Sequence, residues 1–250
     1  MQHELLREDI DLEEAKHLQT KYYSIIQKQE NLTFKYPSLK DIKRVVGVDI
    51  SYYEWKGKEF GVSCAVLWDI LNEKLECSAL VKAKIEVPYH VGFLGFRECN
   101  LIAQAIKKIP KNFNLIMCDG HGIIHPRRFG EAVQLGFALD TPSIGIAKKP
   151  FIGYCEWSLL KRKRGNKEPI LASEPNLTKK SKQEILGYAI CLNDNMKPVF
   201  ISVGYRTTLD LAIKIALKTT LNHRQPEPLY LADQLSKEKV KEILHSQHNS

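Results

Sequence analysis

Asp49 and Asp119 each close a short apolar run, Arg44-Val-Val-Gly-Val-Asp and Leu115-Ile-Met-Cys-Asp, and Asp119 is followed at once by Gly120. Glu98 lies near the start of a run with helical spacing. Carboxylates at strand ends, beside glycines that let a ligand approach, are what a Mg²⁺ site holding phosphate oxygens requires. A single strand-end Asp is more often a turn cap. Two on strands that can be neighbours shift the balance towards a metal. His121 and His125 have the H-x₃-H spacing of a zinc pair on a helix, but Gly120, Gly122 and Pro126 argue against a helix there. Lys148 follows the apolar run Ile144-Gly-Ile-Ala, whose glycine spacing is not that of a phosphate-binding P-loop. No nucleophile-elbow G-x-S-x-G occurs.

These residues need strands and helices to bring them together. Asp11-Leu-Glu-Glu reads as a helix start, with Asp11 as N-cap and Glu14 three residues on. The helix is predicted over about 11–29. Runs at 44–51, 60–68 and 74–87, separated by turn residues at 54–58 and 69–73, predict a meander of three antiparallel strands. A helix is expected after Pro88, then a buried strand of parallel type at Leu115. A helix over about 128–139 and a strand over 142–147 follow. Two more strands, at 185–192 and 198–203, precede a helix over 208–219 and a last helical region ending near Leu244. A mixed sheet covered by helices fits this order. With no internal repeat or low-complexity linker, residues 1–250 are expected to form one domain.

The net charge of +8 favours a polyanionic partner. The segment 161–183 holds eight Lys/Arg against two acids, six of that net charge. It reads as a solvated basic loop that can also serve as a landing strip for phosphates. Six cysteines without C-x-x-C spacing suit a reducing, intracellular compartment. The charged N-terminus does not read as a signal peptide, and no apolar run approaches the roughly 20 residues of a membrane span. A cytoplasmic location and no membrane partner are therefore expected.

At this point whole strings are recognisable. Val48-Asp49-Ile50-Ser51, Pro88-Tyr-His-Val-Gly-Phe-Leu-Gly-Phe-Arg-Glu98, Asp119-Gly-His-Gly-Ile-Ile-His-Pro-Arg-Arg128 and Gly145-Ile-Ala-Lys148 resemble the successive motifs of the endonuclease V family. Arg224-Gln-Pro-Glu-Pro and Ala232-Asp233 resemble its closing segment, so the likeness runs from about residue 44 to 235. The resemblance implies an RNase H-like α/β fold with a central five-stranded mixed sheet flanked by helices. It implies a Mg²⁺-dependent endonuclease, with Mn²⁺ expected to substitute. Such an enzyme recognises deaminated adenine in DNA, or inosine in RNA, and hydrolyses the second phosphodiester bond on its 3′ side. The cut leaves a 5′-phosphate and a 3′-hydroxyl and initiates repair. A monomer acting on nucleic acid is expected.

Carried over by position, Asp49 and Asp119 are metal ligands and Glu98 completes the carboxylate cluster. Lys148 orients the attacking water or stabilises charge on the phosphate, and His125 lies near the scissile phosphate or a second metal. Pro88, Tyr89, His90 and Val91 form the lesion-recognition segment, with Tyr89 as a wedge in the gap left by the everted base. Backbone at Gly92, Leu94, Gly120 and Gly122 lines the base pocket. Three departures from the family pattern stand out: Val91 for a proline, Gln134 for a His, and Tyr205 for the His of Gly-His-Arg. Asp210 is a further candidate carboxylate. Two other readings share the fold: a nucleic-acid binder without turnover, prompted by Tyr205 and Gln134, and another RNase H-like nuclease, which has no use for a Tyr89 wedge.

Overall fold

A computed structural model describes residues 3–30, 36–174 and 183–248. The first helix, α1 (Leu12–Glu30), starts where its cap predicts: Glu14 N–H donates to Asp11 Oδ1 at 2.8 Å. The meander follows as β1 (Arg44–Trp55), β2 (Lys58–Asp69) and β3 (Lys74–Lys84). The first two strands are longer than the sequence suggests. They run right up to a two-residue turn in which Lys56 and Gly57 both take positive φ (51° and 68°), the geometry that suits a tight hairpin.

Then come α2 (Leu94–Lys107), β4 (Leu115–Cys118), α3 (Glu131–Ala138) and β5 (Ser143–Ala147). The chain continues through β6 (Lys167–Leu171), β7 (Ile185–Ile190), β8 (Val199–Val203), α4 (Leu209–Lys218) and α5 (Glu227–His248). All eight strands belong to one sheet, ordered β3-β2-β1-β4-β5-β8-β7-β6. The first five in that order are the central mixed sheet expected. The sheet does not stop at five, because β8, β7 and β6 extend it as antiparallel strands beyond β5. The sequence conceals β6. Lys167, Glu168 and Pro169 make it read as part of a basic loop, and such residues are tolerated only because it is an edge strand.

Alternation along the strands splits the core into two layers. Val45, Leu115, Met117, Ile144 and Ile146 face α4 and the start of α5. Val46, Val48, Ile116 and Cys118 face α2 and α3. Outside α3, helix α1 adds a third layer: Leu18, Tyr22 and Ile26 cluster with Phe96, Val133 and Phe137. At the other face α5 lies directly on β1. A Cβ at Gly47 would stand 2.5 Å from the carbonyl carbon of Pro228, so only glycine permits this approach. Among the described residues no helix is long and apolar enough to cross a membrane, and all six cysteines are unpaired.

Candidate active site

Strands β1, β4 and β5 run parallel, so their carboxyl ends emerge together. Val48 pairs with Cys118, and Asp119 N–H donates to Val48 O at 3.3 Å. Asp49 and Asp119 therefore stand side by side on neighbouring strands. Lys148 follows β5 and donates from Nζ to Asp119 Oδ2 at 2.6 Å. Glu98 comes in from the buried face of α2, where Tyr52 of β1 donates its hydroxyl to Oε1. Arg97 is fixed by Val87 O at 2.6 Å and by an ion pair with Glu59, and its guanidinium lies 4.7 Å over the Tyr52 ring. Four of the five residues on which the sequence reading placed the chemistry, all but His125, are thus brought to one end of the sheet.

Two acids join them that the sequence reading did not single out. Asp233 of α5 stands near Asp49, whose carboxyl it helps push up, and is ion-paired with Lys237 at 2.7 Å. Glu131, the first residue of α3, is buried, and its Oε2 has no hydrogen-bond partner. The crowding is visible in the electrostatics. Burial and then the charge of Asp119 push Asp49 well above the ordinary carboxylate range. Burial pushes Glu98 up to about 7, with Asp119 adding to the effect and Tyr52 and Arg97 opposing it. Burial, then the charges of Glu98, Asp49 and Asp119, hold Glu131 well above its ordinary value. Asp233 goes the other way: burial pushes it up, but Lys237 and Lys148 more than offset this.

Beside the acids lies a cavity of about 200 Å³, walled by α1, the segment after Val91 and the start of α3. Its mouth carries Pro88, Tyr89, His90 and Val91, all exposed, with Tyr89 63% and Val91 66% accessible. The loop is anchored at Gly92, whose φ of 83° is reserved in practice for glycine. Its carbonyl accepts from Gln19 Nε2 (3.0 Å), His125 Nε2 (3.0 Å) and Arg127 Nη2 (2.8 Å). His125 Nδ1 in turn accepts from the N–H of Arg127 (3.2 Å) and Phe129 (3.4 Å). Burial pushes this imidazole down to about 4, so it is neutral with its proton on Nε2. With both nitrogens engaged by backbone, His125 shapes the cavity wall and has no free nitrogen for a phosphate or a metal.

The endonuclease V family model matches residues 26–234. The chain belongs to the endonuclease V family. It is 38% identical over 203 residues to endonuclease V of Dictyoglomus thermophilum, covering 81% of this chain and 82% of the relative. The crystal structure of endonuclease V from Bacillus subtilis superposes with a TM-score of 0.83 at 28% identity, covering 98% of both chains. Ciona intestinalis endonuclease V, solved with a 24mer DNA containing an inosine followed by a ribo-adenosine, gives 0.73 at 28% identity. That match covers 89% of this chain and 98% of the other.

The family strings divide between site and scaffold. Gly92 and Leu94 line the cavity, whereas Gly120 and Gly122 do not. Gly120 backs onto Glu131. Gly122 presses on β8, where a Cβ would meet Val203 O at 1.8 Å, and its N–H donates to Ser202 Oγ at 2.8 Å. Two of the departures from the family pattern have structural partners. Tyr205 is buried edge-on against Phe137, with its hydroxyl donating to Asp140 Oδ1 at 3.2 Å. Gln134 Nε2 donates to Leu5 O at 2.8 Å, a tie between α3 and the N-terminal segment. Asp210 pairs with Lys214 on the exposed face of α4 and adds no carboxylate to the cluster.

Glu131 was hidden by its position. A Glu in the first turn of a helix reads as a favourable partner of the helix dipole. Asp233 is named only within the closing string, and nothing local says that α5 turns it inward. The basic segment is also partly structural. Arg164 is tied to the carbonyls of Leu217 (2.7 Å) and Thr220 (3.1 Å), and Lys167 lies over the Tyr188 ring. Lys179, Lys180 and Lys182 lie outside the described residues.

Proposed function

We propose that this chain is a Mg²⁺-dependent endonuclease that recognises deaminated adenine in a nucleic-acid strand and hydrolyses the second phosphodiester bond 3′ to it, initiating repair. The observation that carries the reading is the adjacency of the acid cluster and the cavity. Asp119 leads straight into Gly120, which backs onto Glu131 of the cavity lining, and Tyr89 projects at the mouth. Binding of inosine-containing DNA by the Ciona relative supports the same substrate.

Among the described residues no three acid, imidazole or thiol groups are drawn close enough together to hold an ion as they stand. The chemistry of the donors nevertheless fits one: Asp49, Asp119, Asp233 and Glu98 offer hard oxygens, and burial and mutual charge hold the carboxyls of Asp49 and Glu98 above their ordinary range. Asp49, Asp119 and Asp233 would hold Mg²⁺, or Mn²⁺ in its place, with Glu98 beside it. Bound there, the ion supplies Lewis acidity and charge neutralisation at the scissile phosphate.

The chain's own groups do the rest. Glu98, held by the Tyr52 hydroxyl at Oε1, completes the carboxylate cluster and helps hold the attacking water. Lys148 sets its ammonium where negative charge builds on the phosphate oxygens. The Gly92 clamp holds the loop of Pro88, Tyr89, His90 and Val91 so that Tyr89 fills the space of the everted base, which enters the cavity. His125 serves as a positioning residue through Gly92. The six unpaired cysteines suit a reducing compartment, and the enzyme is expected to act in the cytoplasm as a monomer.

The test is a cleavage assay on matched DNA and RNA strands carrying one inosine, or adenine in its place, with Mg²⁺, Mn²⁺ or EDTA. The expected result is a metal-dependent cut at the second linkage 3′ to inosine and none on the adenine strand. Absence of cutting by folded protein on every inosine strand would sink the proposal.

A further inference from the structure

One polar group on the cavity lining has no task in the fold. Gln19 is engaged by Gly92 O, Phe129 O and Arg127, His121 by Lys149 O, and His125 by backbone on both nitrogens. Among the described residues Glu131 is the only acid lining the cavity; it is 5% exposed and leaves Oε2 unpaired. That oxygen lies against Gly120: a Cβ there would stand 2.3 Å from it, so glycine makes the room the carboxyl occupies. One turn on, Gln134 also carries an unpaired oxygen, but it stands behind Gly95 and off the lining. Packing does not call for an acid at 131, because an apolar side chain of similar length would fill the space without an unpaired buried oxygen. Groups that lower stability in this way mark sites that await a ligand.

A carboxyl oxygen accepts an N–H bond whether or not the group is ionised. Hypoxanthine carries a proton on N1, whereas adenine has a bare acceptor there. We propose that Glu131 is a specificity-determining residue, whose Oε2 accepts the N1–H of the everted base and so selects hypoxanthine over adenine. The inference rests on the reading of the cavity as the base pocket.

The test compares kcat/KM on strands carrying inosine or unsubstituted purine, which lacks both the N1 proton and the 6-oxygen, in wild type, Glu131→Leu and Glu131→Gln. Any disturbance of the neighbouring acids acts on both bases and cancels in the inosine-to-purine ratio, as in a double-mutant cycle. Glu131→Leu is expected to reduce that ratio about tenfold, the worth of one hydrogen bond in a desolvated site, with Tm no lower than wild type. Glu131→Gln keeps an acceptor and should hold the ratio within about threefold of wild type. A ratio unchanged in Glu131→Leu, or lost equally in Glu131→Gln, overturns the inference while leaving the nuclease reading intact. Wild type that cuts no inosine strand overturns both. Should the Leu variant fail to fold, Glu131→Met carries the same comparison.

Discussion

The two ends of β1's parallel half meet charge in opposite ways. At its start, Glu76 accepts from Arg44 Nε at 3.1 Å and from Lys111 Nζ at 3.0 Å, and Asn114 Oδ1 receives the backbone N–H of Lys43 and Arg44. The hydrogen bond from Lys111, aided by Arg44, holds the Glu76 carboxyl below its ordinary value. Five residues on, Asp49 faces Asp119 and Asp233, with Glu98 and Glu131 behind, and the two cations nearest them, Lys148 and Lys237, do not pair them all. The first end spends its charges on folding. The second keeps acids in a state that folding alone does not favour, as sites that bind cations and phosphates do.

Removing the crowded acids should therefore destroy function and spare the fold. Asp49→Ala and Asp119→Ala are expected to lower cutting by at least about 10³-fold while leaving affinity for an inosine strand within a few-fold. Substantial Mg²⁺-dependent cutting by either variant would break the comparison. Asp233→Ala should follow them, and its loss of activity at unchanged Tm would place α5 in the site. Tyr89→Ala, just outside the acids, should weaken binding by about 1–3 kcal/mol, the worth of base–aromatic stacking, with no change in Tm because the ring is exposed. Equal affinity in a gel-shift would remove the wedge.

The acidic end should also show itself in pH. Glu98 ionises near 7 in the fold against 4.5 as the ordinary value. Below 4.5 both states hold the proton and nothing is lost. As pH rises through 7 the unfolded chain is already ionised, the folded one resists, and stability falls. In EDTA, Glu98→Gln should match wild type near pH 4.5 and exceed it in Tm by several degrees at pH 8. A constant gap across that range would show that burial of Glu98 carries no such penalty. The smallest effect is expected at the paired end: Glu76→Gln should lower Tm slightly and leave cutting unchanged.

Much of this was legible in the chain. The Asp11 cap, the alternation of β1 to β3 and the apolar runs of β4 and β5 are local signals, and the structure returns each of them. Asp119 was legible because a strand end followed by glycine is itself a pattern; Asp49, read as a strand end, lies in mid-β1, just past the last pairing with β4. Lys148 and Glu98 came from the family strings, since a lone lysine or helical acid carries no signal. What stayed hidden depends on tertiary packing. β6 forms only because β7 offers it an edge. Glu131 matters only because Gly120 stands opposite, and Asp233 only because Gly47 lets α5 settle on the sheet.

That last contact has a consequence in time. Asp49 lies in the first strand and Asp233 in the last helix, so the acid cluster is divided between two segments more than 180 residues apart. A chain in which α5 has not yet docked holds Asp49, Glu98, Asp119 and Glu131, but has neither Asp233 nor the helix that covers β1 in place. The acid cluster is therefore complete only once α5 has settled on the sheet, so closing the fold and completing the site are one event.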